Sequence, residues 1–217
     1  SFSNVAFEIV GPFGNTYFSA SNPDTGTLGY FTHSCTAVSC VVMNPMIGDS
    51  TSTTTSYYTP VNNYFNYTLS ETIIDAAEIG GPMTINTISY YYNYATAMTN
   101  KTNCTIYLQP TSKSVFASSS DIDLLDPASA VMVYTGDLNC VQGWNTFTLT
   151  TPYYYDGQDN LMVIVDDNSG SYNGNSYTFR ASACTGYKTL YWYSDSYNPD
   201  PTNGTHRHIE MNTNHIT

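Results

Sequence analysis

Hydrophobic and polar residues alternate along much of this chain with a period of two. Val5, Phe7 and Ile9 alternate with other residues, and the same pattern recurs at 106–108, 146–150 and 190–193. Because successive side chains of a β-strand point to opposite faces, this period predicts strands with one face in a core. Shorter runs rich in apolar and aromatic residues, at 85–92, 131–134 and 177–181, predict further strands.

One run departs from this alternation. Residues 161–166 read LMVIVD, with apolar side chains at five consecutive positions. An Asp-Gly turn at Asp156 and Gly157 precedes the run, and Asp167 and Asn168 follow it. A short continuous apolar run between turn residues predicts a strand that is buried on both faces.

Residues 70–79, SETIIDAAEI, are the one segment with helix signals. Ser70 is a suitable N-cap residue, acids follow it, and Gly80, Gly81 and Pro82 end the segment. We expect a helix there. Clusters of turn-forming residues separate the other predicted elements, and many short strands separated in this way predict an all-β fold, an antiparallel, jelly-roll-like β-sandwich.

The clearest change in composition is the polar stretch 48–55, GDSTSTTT, which predicts a linker or an exposed loop. It separates residues 1–47 from a sandwich module at 56–217. The first segment is too short for a stable separate domain and holds strands near 5–10, 16–20 and 36–43. We expect this N-terminal strand extension to pack on the sandwich or to be donated to a neighbouring copy. The third alternative is that it forms the end of a truncated preceding domain.

Charge limits the classes of partner. The net charge is −12, and the chain has only five Lys and Arg residues, so no basic patch can form. Nucleic acid and anionic membranes are therefore poor partners. No apolar run approaches the ~20 residues that cross a bilayer, and the chain begins at Ser1. We expect a mature exported protein, secreted or at the cell surface, that does not insert into a membrane.

Cysteines and sequons add expectations about export. The five cysteines show no CxxC motif and no zinc spacing, so two disulfides and one thiol is the simplest arrangement in an oxidising compartment. Cys35 and Cys40 are close enough for a local disulfide, while the pairing of Cys104, Cys140 and Cys184 stays open, and buried thiols are the alternative. Possible glycosylation sites are Asn66, Asn100, Asn103 and Asn203.

From about residue 56 onward, a series of short motifs covers roughly three quarters of the chain in a recognisable order. They include YTLS at 67–70, AAEIG at 76–80, TINTISY at 84–90, IYL at 106–108, VYTG at 133–136, GW at 143–144, YDG at 155–157 and VDDN at 165–168. This order resembles a jelly-roll β-sandwich module of secreted and surface proteins of Bacteroidota and is similar to the adhesin domains of gingipain-type proteins. The resemblance implies a non-catalytic domain that is often stabilised by calcium.

Acidic turn residues at the two ends of the predicted buried strand are candidate calcium ligands. Asp156 and Asp159 lie before the strand, and Asp166, Asp167 and Asn168 lie at its end. Calcium takes six to eight oxygen ligands, which such side chains supply. The two ends are about 15–20 Å apart at the usual strand rise, so one ion cannot use both directly. The alternative is that these residues are turn formers.

Aromatic runs suggest a binding surface. YYY at 90–92, YYY at 153–155 and YWY at 191–193 lie on or beside predicted strands, and alternation places part of each run on an outer face. Glycan stacking, subunit contact and plain packing are the three alternatives, because tyrosine suits interfaces and half-buried sheet positions alike. The candidate ligand or subunit surface comprises Tyr91, Tyr154, Tyr191, Trp192 and Tyr193.

No enzyme motif stands out. The chain has four Glu residues without the paired spacing of a glycosidase, and neither G-x-S-x-G nor H-E-x-x-H occurs. We therefore expect a non-catalytic extracellular adhesive or structural module. Its partners would be other copies of itself, as in a filament, other surface proteins, or glycans. A carbohydrate-binding module of a larger secreted enzyme is the first alternative, and a hydrolase is the second.

Overall fold

The structure is a computed structural model that describes residues 6–10, 16–21, 44–56, 58–118, 121, 125–175, 177–203, 208–209 and 213–215. The chain divides into two compact units, Ser1–Val42 and Met43–Thr217. In the first unit, β1 (Ala6–Val10) and β2 (Thr16–Ser21) pair in an antiparallel hairpin. The strands predicted near 5–10 and 16–20 are both confirmed. The strand predicted at 36–43 lies outside the described residues.

The described part of the second unit is almost entirely β-structure. Its elements are β3 (Thr55–Ser56), β4 (Tyr67–Ile74), α1 (Ala76–Ile79), β5 (Met83–Tyr92), β6 (Cys104–Thr111), β7 (Val131–Gly136), β8 (Gly143–Tyr155), β9 (Asn160–Asp167), β10 (Phe179–Ala183), β11 (Thr189–Ser194), β12 (His208–Ile209) and β13 (Thr213–His215).

Two antiparallel sheets form a sandwich. The six-stranded sheet has the order β12-β11-β4-β9-β6-β7, and the five-stranded sheet has the order β13-β10-β5-β8, with β3 also paired to β10. The predicted all-β antiparallel sandwich is therefore confirmed, while its jelly-roll character stays a prediction.

Alternating side chains build the interior between the sheets. On β5, Ile88, Tyr90 and Tyr92 are buried, and on β8, Phe147 and Leu149 are buried. They join one hydrophobic cluster with residues of β6, β9 and β10. Burial of each such side chain stabilises the fold by roughly 1.5–3 kcal/mol. The intervening residues of β5 and β8 consequently point away from the core.

Strand β9 is buried on both faces, as its continuous apolar run predicted. It lies in the middle of the six-stranded sheet, between β4 and β6. Val163 and Val165 belong to the cluster between the sheets. Met162 and Ile164 belong to a second cluster, with Trp192 among its members, on the opposite face of this sheet.

The predicted helix at 70–79 is wrong for most of its length. Residues up to Ile74 form β4, which pairs with β11 on one side and β9 on the other. The β-branched residues 72–74 favour a strand, and pairing on both sides outweighs the local helix signals. Only Ala76–Ile79 are helical, with Asp75 as the N-cap and Gly80 at a φ of 85° as the C-cap.

The polar stretch at 48–55 contributes to the edge of the five-stranded sheet. The Ser52 hydroxyl donates to the Ala181 carbonyl at 2.7 Å, and the Ala181 amide donates to the Thr54 carbonyl at 2.8 Å. Thr55 then begins β3, which pairs with β10. The second half of this stretch is therefore bonded to the sandwich, and the role of residues 1–47 stays a prediction.

Among the described helices, none is both long and apolar enough to cross a membrane.

Candidate binding face

The outer side of β5 and β8 carries a row of uncharged cross-strand pairs. Three pairs lie side by side in register: Tyr91 opposite Trp144, Ser89 opposite Thr146, and Thr87 opposite Thr148. Trp144, Thr146, Thr148 and Thr87 are exposed, and Ser89 and Tyr91 are half-buried. Because the neighbouring residues along each strand point into the core, the sequence alternation itself produces this face. We call these six residues the outer face.

An aromatic and cationic group forms one end of the outer face. The Arg180 guanidinium on β10 lies 3.7 Å from the centre of the Tyr91 ring. The Tyr91 and Trp144 rings are 5.5 Å apart at 89°, an edge-to-face contact. Such contacts contribute about 0.5–1.5 kcal/mol each and hold the rings in place. Trp144 nevertheless stays 43% exposed, so its ring is available to a ligand.

Hydroxyl groups continue the outer face away from the rings. The hydroxyls of Ser89 and Thr146 hydrogen bond to each other at 2.8 Å. Beyond Thr87 and Thr148 the pairing shifts at a bulge, after which Thr84 pairs with Tyr154. Tyr154 is 58% exposed, so the strand pair has an exposed ring toward each end and hydroxyls between them.

The predicted aromatic surface is partly wrong. Tyr154 is exposed as expected, and Tyr91 is half-buried on the outer face. Tyr191 and Trp192 are only 6% and 5% exposed, so they do not belong to an exposed surface.

The reason is that β11 is covered on both sides. The Tyr191 ring stacks on Tyr58 at 4.2 Å, and the half-buried Tyr193 ring stacks on Phe65 at 4.0 Å. The segment that precedes β4 therefore covers one side of β11, and Trp192 packs in the second cluster on the other side. Sequence alternation alone cannot reveal which segments cover the two sides of β11.

The first acidic end of β9 is an exposed turn. Asp156 and Asp159 are both exposed. The Gln158 amide donates to Asp156 Oδ1 at 3.0 Å, and the Tyr155 hydroxyl donates to the Asp159 carbonyl at 2.6 Å. Such bonds are those of a turn-forming aspartate.

At the other end of β9, Asp166 and Asp167 are adjacent and therefore point to opposite faces of the sheet. Asp166 is 6% exposed and accepts a 2.9 Å hydrogen bond from Asn168 Nδ2. Burial raises the pKa of Asp166 to about 6, with smaller contributions from the nearby Asp167 and Asp200. Within the described structure, Asp166 Oδ1 has no hydrogen-bond partner.

Asp167 serves as the partner of a buried lysine. Lys101 Nζ lies 2.6 Å from Asp167 Oδ2, and neither side chain is exposed. Lys101 also donates to the carbonyls of Phe65 at 2.7 Å and Ser171 at 3.0 Å, so the three donors of the ammonium group meet three acceptors. Thr68 and Ser169 donate to the Asp167 carboxylate as well. In this arrangement Asp167 binds Lys101 and has no vacant oxygen for a metal ion.

Over the ranges that the structure describes, no group of three or more His, Cys, Asp or Glu side chains is placed to hold a metal ion. Asn168 is engaged on both sides, since it donates to Asp166 and accepts a bond from Asn198 Nδ2 at 2.5 Å. Calcium binding stays a prediction, and of the five predicted ligands Asp156 and Asp159 are exposed, Asn168 is half-buried, and Asp166 and Asp167 are buried.

The described cysteines are all free thiols: Cys104, Cys140 and Cys184. Cys104 and Cys140 are buried in the core between the sheets, and burial raises the pKa of both, that of Cys140 to about 12. This fits the alternative that cysteines serve as small buried hydrophobic residues. The predicted Cys35–Cys40 disulfide lies outside the described residues.

The predicted glycosylation sites differ in accessibility. Asn103 and Asn203 are exposed. Asn66 and Asn100 are half-buried. The Nδ2 atom, to which a glycan would attach, donates to a backbone carbonyl at three of the sites: Asn66 to Asp195 at 2.8 Å, Asn100 to Ser171 at 3.3 Å and Asn103 to Asn168 at 3.3 Å. Glycosylation stays a prediction, and Asn103 and Asn203 are its more accessible sites.

Three residues of interest were missed from the sequence. Trp144 has the same parity as the exposed Thr146 and Thr148, so the alternation around Phe147 and Leu149 contained the signal for its outward position. The position of Arg180 depends on which strand lies beside β5, and Lys101 lies in a polar loop that gives no sign of burial. Both are consequences of the tertiary fold.

Comparison of the chain with models of known protein families, with curated proteins and with solved structures gives no match in any of the three. The resemblance to Bacteroidota surface modules therefore stays a prediction.

Proposed function

We propose that this chain is a non-catalytic extracellular adhesive or structural module that binds its partner through the outer face of β5 and β8. The observation that carries the proposal is the exposed Trp144 ring beside Tyr91 and Arg180, at the end of a row of Ser and Thr hydroxyls. A sheet face of this composition suits adhesion because it offers ring surfaces and hydrogen-bonding groups, while its one neighbouring cation, Arg180, already stacks on Tyr91.

The fold does not require an aromatic residue at position 144, which is a second reason for the proposal. A threonine or charged residue at position 144 would leave the core residues Phe147 and Leu149 in place, because they point to the other side of β8. Aromatic residues are enriched where proteins bind partners, and a small number of them usually dominate the binding energy. Secretion or surface exposure remains part of the proposal, as do other copies, surface proteins or glycans as partners.

An adhesion assay tests the proposal. Beads coated with the protein are applied to surfaces that carry polysaccharides, extracellular proteins or the protein itself, and retention under flow is measured. We expect the W144A variant to lose at least about tenfold in retention on the surface that binds the parent protein, as for a hot-spot residue. The matched control is Y172A, which removes an aromatic ring that is 53% exposed outside the outer face.

Equal retention of the parent protein and W144A on every surface would reject the outer face as the adhesive site. The circular dichroism spectrum of W144A should match that of Y172A. An unfolding midpoint above the assay temperature shows that W144A is folded, although it has lost its ring contact with Tyr91.

A carbohydrate-binding module of a larger secreted enzyme is the second candidate. The exposed Trp144 ring next to the hydroxyl pair of Ser89 and Thr146 favours it. Sedimentation and negative-stain microscopy distinguish the candidates, because an assembly subunit forms filaments or large particles and a binding module stays monomeric.

Calcium is the one cofactor that the proposal includes. If calcium binds, the melting temperature should be higher in millimolar calcium than in chelator. This difference in melting temperature should be smaller in a D156N/D159N variant. An unchanged melting temperature in the parent protein would remove calcium from the proposal.

A further inference from the structure

Two exposed aromatic rings, Trp144 and Tyr154, lie toward opposite ends of the same pair of strands. On β5 their cross-strand partners are Tyr91 and Thr84. These two positions are seven residues apart, which corresponds to roughly 23 Å along an extended strand. A ligand that contacts both rings must therefore be long and extended.

Hydroxyl groups dominate the part of the surface between Trp144 and the bulge, and exposed Asn86 and Pro152 lie between the bulge and Tyr154. Ser89 and Thr146, already bonded to each other at 2.8 Å, and Thr87 opposite Thr148 can each donate and accept further hydrogen bonds. A matching ligand carries many hydroxyl groups along its length and has apolar C–H surfaces that pack on aromatic rings. A polysaccharide chain has both properties.

Charge selects among polysaccharides and against other partners. The sequences of β5 and β8, MTINTISYYY and GWNTFTLTTPYYY, contain no charged residue. Arg180, the cation beside them, stacks on Tyr91 and donates to the Ser50 carbonyl at 3.4 Å. The whole chain carries a net charge of −12, which repels anionic chains and also a second copy of itself. A neutral partner is not repelled by this charge.

We propose that the outer face binds a neutral polysaccharide chain that lies along β5 and β8 and stacks on Trp144 and Tyr154. This inference rests on the proposed function, because it specifies the partner of the same face. Trp144 is the stronger of the two contacts because Tyr91 and Arg180 fix its surroundings. The hydroxyl pairs between the rings orient the chain.

Ligand length is the sharpest test. Binding of neutral oligosaccharides of two to eight units, from cellulose, xylan, chitin and amylose, is measured by calorimetry with the parent protein and with W144A, Y154A and Y172A. We expect affinity for one series to rise with length until the ligand spans both rings. W144A should weaken the longest ligands at least about tenfold. Y154A should weaken the long ligands and leave the shortest unchanged, and Y172A should match the parent protein.

Tryptophan fluorescence provides an independent readout. The chain has two tryptophans, of which Trp144 is exposed and Trp192 is 5% exposed. Binding should therefore shift the emission of Trp144, and the shift should be absent in W144F. Because W144F retains a ring, it should also retain more affinity than W144A.

The outcomes separate this inference from the proposed function. Retention of beads that depends on Trp144, without binding of any neutral oligosaccharide, overturns the polysaccharide ligand and leaves the adhesive face intact. Binding only to acidic chains such as alginate, or only to other copies of the protein, also overturns it. Retention that does not depend on Trp144 overturns both. Affinity that rises with length and is lost in W144A supports both.

Discussion

Lys101 Nζ lies 2.6 Å from Asp167 Oδ2, and both side chains are fully excluded from solvent. The pair joins the end of β9 to the loops that contain Phe65 and Ser171, whose carbonyls accept the other two hydrogen bonds of the ammonium group. A buried ion pair contributes little relative to a well-packed apolar pair, yet the loss of one partner leaves an uncompensated charge. Its value to this fold is therefore in holding three segments together.

Removal of one member of this pair should be costly. We expect K101M to destabilise the protein by about 3–5 kcal/mol in urea unfolding, because Asp167 then remains buried without its cation. The double variant K101M/D167N should lose clearly less than the sum of the single variants, since neither charge remains.

The exposed pair of Lys113 and Asp121 is the matched control. Its atoms are also 2.6 Å apart, but the two side chains are 27% and 28% exposed. K113M should cost no more than about 1 kcal/mol, as for surface pairs. Similar losses in K101M and K113M would contradict the importance of burial for the first pair.

Asp166 should make stability depend on pH. Burial raises its pKa to about 6 in the folded protein, above the ordinary value of about 3.9. Between these two values the folded chain holds more protons at this position than the unfolded chain, so stability from this group decreases as pH rises through that window and stays low above it. The loss amounts to up to about 3 kcal/mol, at 1.36 kcal/mol per pKa unit.

The D166N variant isolates this contribution. Its side chain has almost the same shape and cannot ionise, so we expect it to be more stable than the parent protein at pH 7–8 and equal to it near pH 4. Urea unfolding in chelator from pH 4 to 8 measures the difference in stability between D166N and the parent protein. A difference between D166N and the parent protein that is constant with pH would contradict the raised pKa.

Cys140 should be inert in the native state. It is 3% exposed, and burial raises its thiol pKa to about 12, so almost no thiolate is present at pH 8. Pulse alkylation followed by peptide mass spectrometry should label Cys140 only above the urea midpoint and should label the half-buried Cys184 sooner. Equal labelling of the two cysteines in native buffer would be evidence against the buried position.

The residues around β9 show which structural features could be predicted from the sequence alone. The apolar run at 161–165 predicted a strand buried on both faces, because few other structures accommodate five consecutive apolar residues between turns. The separate environments of Asp166 and Asp167 were not predictable, since they depend on Lys101, which is distant in sequence. The Ser70 N-cap signal misled because local helix propensity is weaker than pairing on both sides of β4.

On the candidate binding face, too, some positions were predictable from the sequence pattern and others depended on residues distant in sequence. Alternation on β8 was sufficient to place Trp144 beside the outward threonines. The burial of Tyr191 and Trp192 required knowledge that Tyr58, Phe65 and the second cluster cover β11. Periodicity therefore indicates which residues share a face of a strand, and tertiary structure decides whether that face is exposed.

Gly157 in the turn before β9 should tolerate no side chain. Its φ is +80°, and a Cβ atom at this position would lie 2.9 Å from the Pro82 backbone nitrogen. Gly174 is the matched control, because it has a φ of +73° and a Cβ there would meet no atom within 4 Å. We expect G174A to cost about 1–2 kcal/mol from backbone conformation alone. G157A should cost a further 1–3 kcal/mol or so, because Pro82 or the turn must move. Equal unfolding free energies for the two variants would show that this turn does not pack against Pro82.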